Sequence, residues 1–432
     1  FRSLFCFLSV VFFASNAYAN SDLFIVTSDY STGSTAFLPG NSETAEINVL
    51  PVHSDAVGNY QNGNIYIVNW LGQDNILVLS PGDLSQPIRQ FSVGNGTNPH
   101  DIEIIDDEKA YVTLYERAEL LVVNPTDGVE IKRIDLSSFA DSDGLPEVSK
   151  IVRVGNIAYL TCQRLNRNTD WGPADNSYLI LVDTLTDELI DVDDTSNGIQ
   201  GITLSVSNPN RIIHVGRKLI VSGAAHFGDR NGGIDIIDLE TKISLGIALD
   251  EATLGGDLNA IAMLDGNRGF AVISDENFTN SILPFDLSSK VIGQPLSGLS
   301  GGYIPDIIIE NGRLIVADQG SYSDPQSIGI KVFDAETGEL LISRIDTGLP
   351  PVSLIPLGNT NVITAVNELA QLPNKSFLGN AYPNPFNSLV NIPFKTKVGS
   401  EITIDAYDIL GNLVKTQTYY TKSNDYQNIS WD

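Results

Sequence analysis

Short apolar runs separated by polar turns recur along most of the chain. Between residues 101 and 136, a leading run from Ile102 is followed by AYVT from Ala110, LLVV from Leu120 and, after a turn at Asn124, a fourth run. Runs of this length between turn residues are typical of antiparallel β-strands. Other runs are apolar at consecutive positions, such as LIVSG from Leu219, which indicates strands covered on both faces.

The same group of strands occurs seven times. Its leading runs align in one column: Asp55, Asp101, Ser149, Arg211, Asn259, Asp306 and Ser353. Neighbours in the column are about 46 to 48 residues apart, with one interval of about 62 where Arg164 to Ser177 is inserted, a spacing in the range of four-stranded propeller blades. The sequence therefore predicts an all-β fold whose main domain, residues 20–366, is a seven-bladed β-propeller.

The ends of the predicted ring must meet, because an open blade would expose strand edges. The first group, which begins at Leu23, has no leading run of its own, and Ser353 to Leu357 supplies one. We expect these two segments to pair. A further apolar run, Val362 to Val366, has no place in this count.

Two of the runs carry a recognisable motif. Ala110-Tyr111-Val112-Thr113 followed by Leu121-Val122-Val123-Asn124 resembles the YVTN-type propeller repeats of bacterial surface and periplasmic proteins. The resemblance extends over roughly Leu23 to Val366, and it implies the fold without choosing a function, since such folds host binding proteins and several classes of enzyme.

The repeating pattern of strands gives way to different motifs after Asn374. Ile402, Ile404 and Ala406 alternate with polar residues, which is the period of a half-buried strand. Two motifs, YPNPFN from Tyr382 and YDILGNLV from Tyr407, resemble the type A sorting domain of the type IX secretion system. The motif residues are Pro383, Asn384, Pro385, Phe386, Asn387, Tyr407, Asp408 and Gly411. We predict a linker at residues 367–377 and a small, incomplete Ig-like β-sandwich at 378–432.

The amino-terminal segment predicts export. Arg2 precedes the run LFCFLSVVFFA, which is too short to span a bilayer, and Ala17-Tyr18-Ala19 offers small residues for cleavage. Residues 1–19 are therefore predicted to be a signal peptide, and no transmembrane segment is expected in the mature chain. The chain starts with Phe1 and stops where the sorting family continues with further strands, so we expect both ends to be incomplete.

The net charge limits the classes of binding partner, and the cysteine content limits the possible disulfides. The 53 acidic and 25 basic residues give a net charge of −28, which disfavours nucleic acid and anionic membranes. Removal of Cys6 with the signal peptide would leave Cys162 alone, so no intrachain disulfide is expected. Cys162 ends an apolar run and is interpreted as a small buried hydrophobe.

Candidate sites lie on the face where loops enter the leading strands. Asp55, Asp101, Asn259 and Asp306 could place oxygen ligands around a Ca²⁺ ion, or they could bond local backbone amides at the strand starts. Long loops on the same face hold candidate ligand-binding residues, since aromatic rings with polar neighbours suit contacts with sugars or peptides. These residues are Arg164, Trp171, Tyr178, His226, Phe227, Arg230 and Tyr322; another loop, Asp275 to Asn280, carries Phe278.

We predict a secreted or surface-displayed binding or scaffold protein of a Gram-negative-type bacterium, without catalysis and with Ca²⁺ as its one candidate cofactor. Its partners are the type IX machinery and an extracellular protein or glycan. The alternative is a divalent-metal-dependent hydrolase or lactonase, in which Asn259 and Asp306 could serve as ligands. A copper enzyme is disfavoured, because the four histidines, His53, His100, His214 and His226, show no short metal-binding spacing.

Overall fold

Seven antiparallel sheets arranged in a ring contain the strands of the first part of the chain. The computed structural model describes residues 21–321 and 324–358 and, further on, the strand segments 377–378, 390–395, 401–407, 413–420 and 427–431. The predicted signal peptide, Tyr322, the run at 362–366, residues 367–376 of the predicted linker and the motif residues Pro383 to Asn387, Asp408 and Gly411 lie outside the described residues.

The strands are short, as the apolar runs predict. In chain order they are β1 (Leu23–Ser28), β2 (Gly33–Leu38), β3 (Glu46–Ile47), β4 (Ala56–Gln61), β5 (Asn64–Asn69), β6 (Asn75–Leu79), β7 (Arg89–Ser92), β8 (Pro99–Asp106), β9 (Lys109–Leu114), β10 (Glu119–Val123), β11 (Glu130–Asp135), β12 (Val148–Val154), β13 (Ile157–Cys162), β14 (Tyr178–Asp183), β15 (Glu188–Leu189), β16 (Ile202–Thr203), β17 (Pro209–Val215), β18 (Lys218–Gly223), β19 (Gly233–Asp238), β20 (Ile243–Asp250), β21 (Asp257–Met263), β22 (Arg268–Ser274), β23 (Asn280–Asp286), β24 (Val291–Ile292), β25 (Ile307–Glu310), β26 (Arg313–Asp318), β27 (Gly329–Asp334), β28 (Leu340–Ile345) and β29 (Pro351–Pro356). One short helix, α1 (Glu251–Leu254), and two 3₁₀ turns, Ser137–Phe139 and Pro325–Ser327, lie between them.

Each blade is built from strands that are consecutive in sequence. The sheets are β4 to β7, β8 to β11, β12 to β15 with β16 added to β14, β17 to β20, β21 to β24, and β25 to β28. The first strand of each sheet is innermost and contacts the first strands of the neighbouring sheets. All seven members of the predicted column lie in or immediately before these innermost strands.

The ring closes as the sequence predicts. The seventh sheet has the order β29, β1, β2, β3, and β29 runs antiparallel to β1 with Ser353 opposite Val26 and Leu354 opposite Ile25. The last described strand of the propeller therefore joins the first one, and this pairing removes the open edges that both ends would otherwise leave.

Apolar side chains hold neighbouring blades together. Seven buried clusters lie between adjacent sheets of the described ring, one at each of its interfaces. At the closing blade, for example, Phe24 and Val26 pack with Ile65 and Ile67 of the next sheet. This arrangement explains the runs that are apolar at consecutive positions, because both faces of a middle strand are covered.

Polar residues at the outer turns act locally. The carboxylate of Asp238 accepts a hydrogen bond from the Thr241 backbone N–H at 2.7 Å, and that of Asp334 accepts one from Thr337 at 2.8 Å. These bonds fix the hairpins between third and fourth strands.

The carboxy-terminal region forms a second compact unit, Thr364–Asp432, separate from Phe1–Ile363. Its described strands are β30 (Phe377–Leu378), β31 (Val390–Lys395), β32 (Glu401–Tyr407), β33 (Leu413–Tyr420) and β34 (Gln427–Trp431). They form one sheet in the order β30, β31, β34 and a second of β32 with β33. The alternating run at 402–406 is thus a strand, whereas the Ig-like arrangement stays a prediction.

Candidate functional site: the mouth face of the propeller

One face of the propeller carries the loops that enter the innermost strands and those that join second to third strands. We call it the mouth face. Most of the sequence-predicted site residues lie on it, because the column marks where the chain enters each innermost strand and the long insertion follows the second strand β13.

Two aspartates of the column bind backbone amides of the next blade. Asp101 accepts hydrogen bonds from the N–H groups of Ile102 at 2.9 Å and Ile151 at 3.2 Å. Asp306 accepts one from the N–H of Leu354 at 2.8 Å. Since Ile151 and Leu354 belong to the innermost strands of the following blades, these side chains are clamps between blades. Only the bond from the Ile102 amide to Asp101 is local to a strand start; the Ile151 and Leu354 amides lie 50 and 48 positions away in the sequence.

Arg211 extends this clamping over three blades. Its guanidinium donates to the carbonyl of Ile307 at 3.0 Å and lies within 3.5 Å of the carbonyl of Ile261. It also forms an ion pair with Asp306. The residue that interrupts the acidic column is thus the partner of one of its carboxylates.

Three of the four predicted calcium ligands, Asp101, Asn259 and Asp306, form hydrogen bonds to different groups of the protein. The Asn259 amide donates to the hydroxyl of Ser274 at 2.8 Å, and Asp55 is exposed. Within residues 21–321 and 324–358, no group of three or more histidine, cysteine, aspartate or glutamate side chains is arranged to hold a metal ion. The calcium site stays a prediction.

Near the mouth, His100 lies inside a stack of rings. Its imidazole is parallel to Trp70, with ring centroids 4.2 Å apart, and to Tyr115, with centroids 4.1 Å apart. Burial, and then the nearby cations Lys150 and Arg167, lower the pKa of His100 to about 3. His100 is therefore neutral at physiological pH and serves as a packed ring.

The stack continues into the insertion through Arg167. Its guanidinium lies 5.4 Å from the ring centroid of Tyr115 and 5.1 Å from that of Trp171. It also contacts the carboxylates of Glu116 at 2.5 Å and Glu147 at 2.7 Å. Burial raises the pKa of Glu147 to about 7, although the Arg167 contacts oppose this. These contacts hold the insertion in place and present the Trp171 indole to solvent.

Exposed aromatic rings are concentrated on this face. Within residues 21–321 and 324–358, every exposed Phe, Tyr or Trp lies on a mouth-face loop. We call these residues the aromatic arc: Tyr30 (61 % exposed), Trp171 (53 %), Phe227 (46 %), Phe278 (70 %) and Tyr303 (49 %). Five different blade connections contribute to the arc.

Several contacts join the members of the arc. Phe227 and Phe278 are parallel, with ring centroids 5.8 Å apart. Both neighbours of Trp171 in the chain meet His226: Asp170 lies 3.3 Å from its Nε2, and a Cβ on Gly172 would come within 2.5 Å of its Cδ2. His226 therefore anchors Trp171 beside Phe227.

The other end of the arc is joined through Gln319. The Tyr30 hydroxyl donates to the Gln319 side chain at 3.1 Å, and the Gln319 N–H donates to the Tyr303 carbonyl at 3.0 Å. Burial, and then the neighbouring Tyr30, raise the pKa of Tyr303. Tyr30 and Tyr303 are thus neighbours across the junction between the last and first blades.

The structure places the predicted ligand-binding residues in two groups. Trp171, His226, Phe227 and Arg230 lie in loops of the arc, whereas the Arg164 guanidinium lies 5.4 Å from the ring centroid of Tyr178, beside a cleft lined by Ser138 and Gln200. Tyr30 and Tyr303 were not among the predicted residues. Their signal is an aromatic residue in a connection between blade strands, which becomes informative only once the strands are assigned to blades.

Glu103, on the innermost strand β8, should make the stability of the fold depend on pH. Burial, and then the charge of Asp101, raise the pKa of Glu103 to about 7, although Arg153 opposes this. The folded state therefore favours the protonated form of Glu103. The stability that this protonation contributes is fully present below pH 4.5 and is lost as the pH rises through 7. At about 1.4 kcal/mol per pKa unit, the free energy of unfolding of the wild type should fall by roughly 3 kcal/mol between pH 4 and 8 because of Glu103. In Glu103→Gln this fall should be absent.

Urea unfolding across that range measures the Glu103 effect. Glu108→Gln, a change at an exposed position in the turn between β8 and β9, is the control and should follow the wild-type profile. A Glu103→Gln profile parallel to that of the wild type would contradict the prediction.

Comparison with known proteins identifies the carboxy-terminal region. Residues 380–431 match the family of the secretion system C-terminal sorting domain. This domain implies export to the cell surface or beyond and contact with the type IX machinery, as the two sequence motifs indicate. No curated protein sequence matches the chain. Within the described residues, no helix is long and apolar enough to cross a membrane.

Solved structures resemble the propeller. A protein from Lactobacillus plantarum matches with a TM-score of 0.55 and 12 % identity, over 78 % of this chain and 98 % of that one. Two structures provisionally assigned as 6-phosphogluconolactonases also match. The one from Bacteroides uniformis has a TM-score of 0.53 and 13 % identity, over 78 % and 99 % of the two chains. The one from Bacteroides fragilis has 0.52 and 12 %, over 79 % and 98 %. At such identities the likeness is one of fold.

Proposed function

We propose that this chain, which carries a secretion sorting domain behind a seven-bladed propeller, is a secreted or cell-surface binding protein. The aromatic arc is the surface that contacts its extracellular macromolecular ligand. One observation carries this proposal: all exposed aromatic rings of the described propeller lie on the mouth face.

Such a distribution favours recognition over chance. Apolar rings left in water contribute little to folding, whereas aromatic side chains are enriched among the residues that dominate binding energy. Loops on a rigid scaffold are also where binding residues are usually found. The arc combines both features, since its loops are attached to sheets that pack through buried apolar clusters.

The polar groups of the innermost strands serve a different purpose. Asp101, Asp306 and Arg211 are bound to neighbouring blades, and the amide of Asn259 is bound to Ser274. Asn259 and Asp306, the residues considered for a hydrolase or lactonase, therefore have partners within the protein. The loops of the arc offer the more accessible surface for a ligand.

Binding to defined arrays tests the proposal. The full chain is applied to an array of neutral and charged oligosaccharides and to an array of basic, acidic and neutral peptides. We expect one class to be retained, and we expect Trp171→Ala combined with Phe227→Ala and Phe278→Ala to lose at least about tenfold in affinity, since truncation of a central aromatic costs roughly 2 kcal/mol or more.

The matched control removes apolar area elsewhere. Leu185→Ala combined with Leu245→Ala changes two side chains that are 70 % and 57 % exposed and lie outside the mouth-face loops. This variant should bind as the wild type does. Failure to retain any array member, or equal binding by the arc variant, would contradict the proposed function.

A further inference from the structure

Acidic side chains accompany the aromatic arc. Four of its five rings have a carboxylate within two residues along the chain: Asp29 beside Tyr30, Asp170 beside Trp171, Asp229 after Phe227 and Glu276 before Phe278. The Asp170 and Asp229 side chains are 60 % and 62 % exposed. The arginines of these loops are Arg164, Arg167 and Arg230. Arg167 is paired with Glu116 and Glu147, and Arg164 lies 3.6 Å from Asp175. Other carboxylates therefore offset these two positive charges, and the surface around the rings carries negative charge.

Local hydrogen bonds keep two of these carboxylates, Asp170 and Asp29, ionised. The Thr169 hydroxyl and then the Gly172 amide lower the pKa of Asp170. Backbone amides of Thr32 and Ser31 lower the pKa of Asp29 in the same way. Charge around the arc therefore persists into mildly acidic conditions.

Three arc residues have an unfavourable backbone conformation. Tyr30, Trp171 and Phe278 have positive φ angles of 64°, 61° and 59°. In the described chain they are the aromatic residues with positive φ; most of the other non-glycine cases are Asn, Asp or Lys. Bulky residues in this region are uncommon and cost free energy, and such positions concentrate at functional sites. Exposed rings in these positions point to a function outside the fold.

The chain itself shows which group such a ring can bind. The Arg167 guanidinium lies against Trp171 while its nitrogens contact the carboxylates of Glu116 and Glu147. This is a cation on an aromatic face with acidic partners. More than half of the Trp171 side chain remains exposed, and its acidic neighbour Asp170 is exposed with it.

We infer that the aromatic arc binds a basic protein segment, with lysine or arginine side chains against the exposed rings and Asp170, Asp229 and Glu276 as their counter-charges. The inference rests on the proposed function and names its ligand class. Charge complementarity favours this occupant, because a net charge of −28 attracts cationic segments and the carboxylates beside the rings supply counter-charges that a neutral ligand does not require.

Titration of the full chain with a nonalysine peptide tests the inference, with a glycine-serine peptide of equal length and cellohexaose as comparison probes. Nonalysine should bind, and binding should weaken about tenfold or more between 50 and 500 mM NaCl because exposed charges are screened. The triple arc variant, Trp171→Ala with Phe227→Ala and Phe278→Ala, should lose about tenfold or more.

Charge variants separate local from global attraction. Asp170→Asn with Asp229→Asn and Glu276→Gln should weaken nonalysine binding about tenfold or more. Glu108→Gln with Glu188→Gln and Glu339→Gln makes the same change of net charge at exposed residues on the opposite face and should leave binding within about twofold, since that face lies beyond the screening length.

Each alternative outcome has a distinct meaning. Equal losses in the two charge variants would overturn the inference, since attraction would then be unspecific. Retention of cellohexaose but not nonalysine, with loss in the arc variant, would overturn the basic ligand and leave the proposed function standing. Binding of nonalysine unaffected by the arc variant would overturn the arc as the site. If no probe or array member binds, both proposals fail.

Discussion

Removal of residues 378–432 is expected to prevent the propeller from reaching the exterior of a bacterium that has type IX secretion. Residues 380–431 match the sorting domain, which is the signal that this machinery reads, while the propeller closes on itself through β29 and β1. The truncated protein should therefore fold and accumulate in the periplasm. Fractionation followed by immunoblotting measures the distribution, and we expect a loss of external protein of at least about tenfold, because recognition is carried by a single module.

A full-length chain with Leu185→Ala, which changes an exposed turn of the propeller, controls for general effects on export. It should be exported normally. Replacement of Pro383 to Asn387 by alanine in the intact chain is a finer version of the deletion. External levels of the truncated protein equal to those of the full chain would exclude a sorting role for residues 378–432.

Loss of the clamp at Asp306 should be the most destabilising single change among the column residues. Asp306→Ala leaves the Leu354 amide without its acceptor and the Arg211 guanidinium without its counter-ion. Removing one member of a buried pair costs about 3–5 kcal/mol. The Asp306 and Arg211 side chains are 10 % and 28 % exposed, so we expect a decrease of roughly 2–4 kcal/mol in the free energy of unfolding after allowing for solvent screening.

Chemical denaturation of the full chain measures this decrease. Asp107→Ala, an exposed aspartate in the turn between β8 and β9, is the matched control and should change the free energy of unfolding by less than about 0.5 kcal/mol. In a double-mutant cycle, Arg211→Ala with Asp306→Ala should cost less than the sum of the single changes, because neither charge is left alone. Full additivity would show that the two residues are not coupled.

The column of residues at the leading strands shows which features of the structure can be predicted from the sequence. Its period predicted the number of blades and the pairing of Ser353 with the first group, and the structure confirms these features. The calcium prediction and the amide-bonding alternative could not be separated from sequence. Asp306 binds a residue 48 positions away and Arg211 one that is 95 positions away, and no local pattern identifies such partners.

The aromatic arc illustrates the opposite case. The insertion and the loops containing Phe227 and Phe278 were predicted to lie on the mouth face, yet Tyr30 and Tyr303 were not connected with them. Tyr30 meets Gln319, which is 289 positions away, only because the last described propeller strand joins the first. The ring stack through His100 was equally hidden, since Trp70, Tyr115 and Trp171 come from loops of three different blades.

The architecture of this protein follows from features that a chain carries locally. Strand length, apolar coverage on both faces and a regular spacing of leading strands determine blades, and blades with two apolar faces are stable only in a closed ring. The two secretion motifs are equally local. Tertiary structure alone decided which polar residues are clamps and which aromatic rings remain exposed, because both depend on distances between blades that are far apart in sequence.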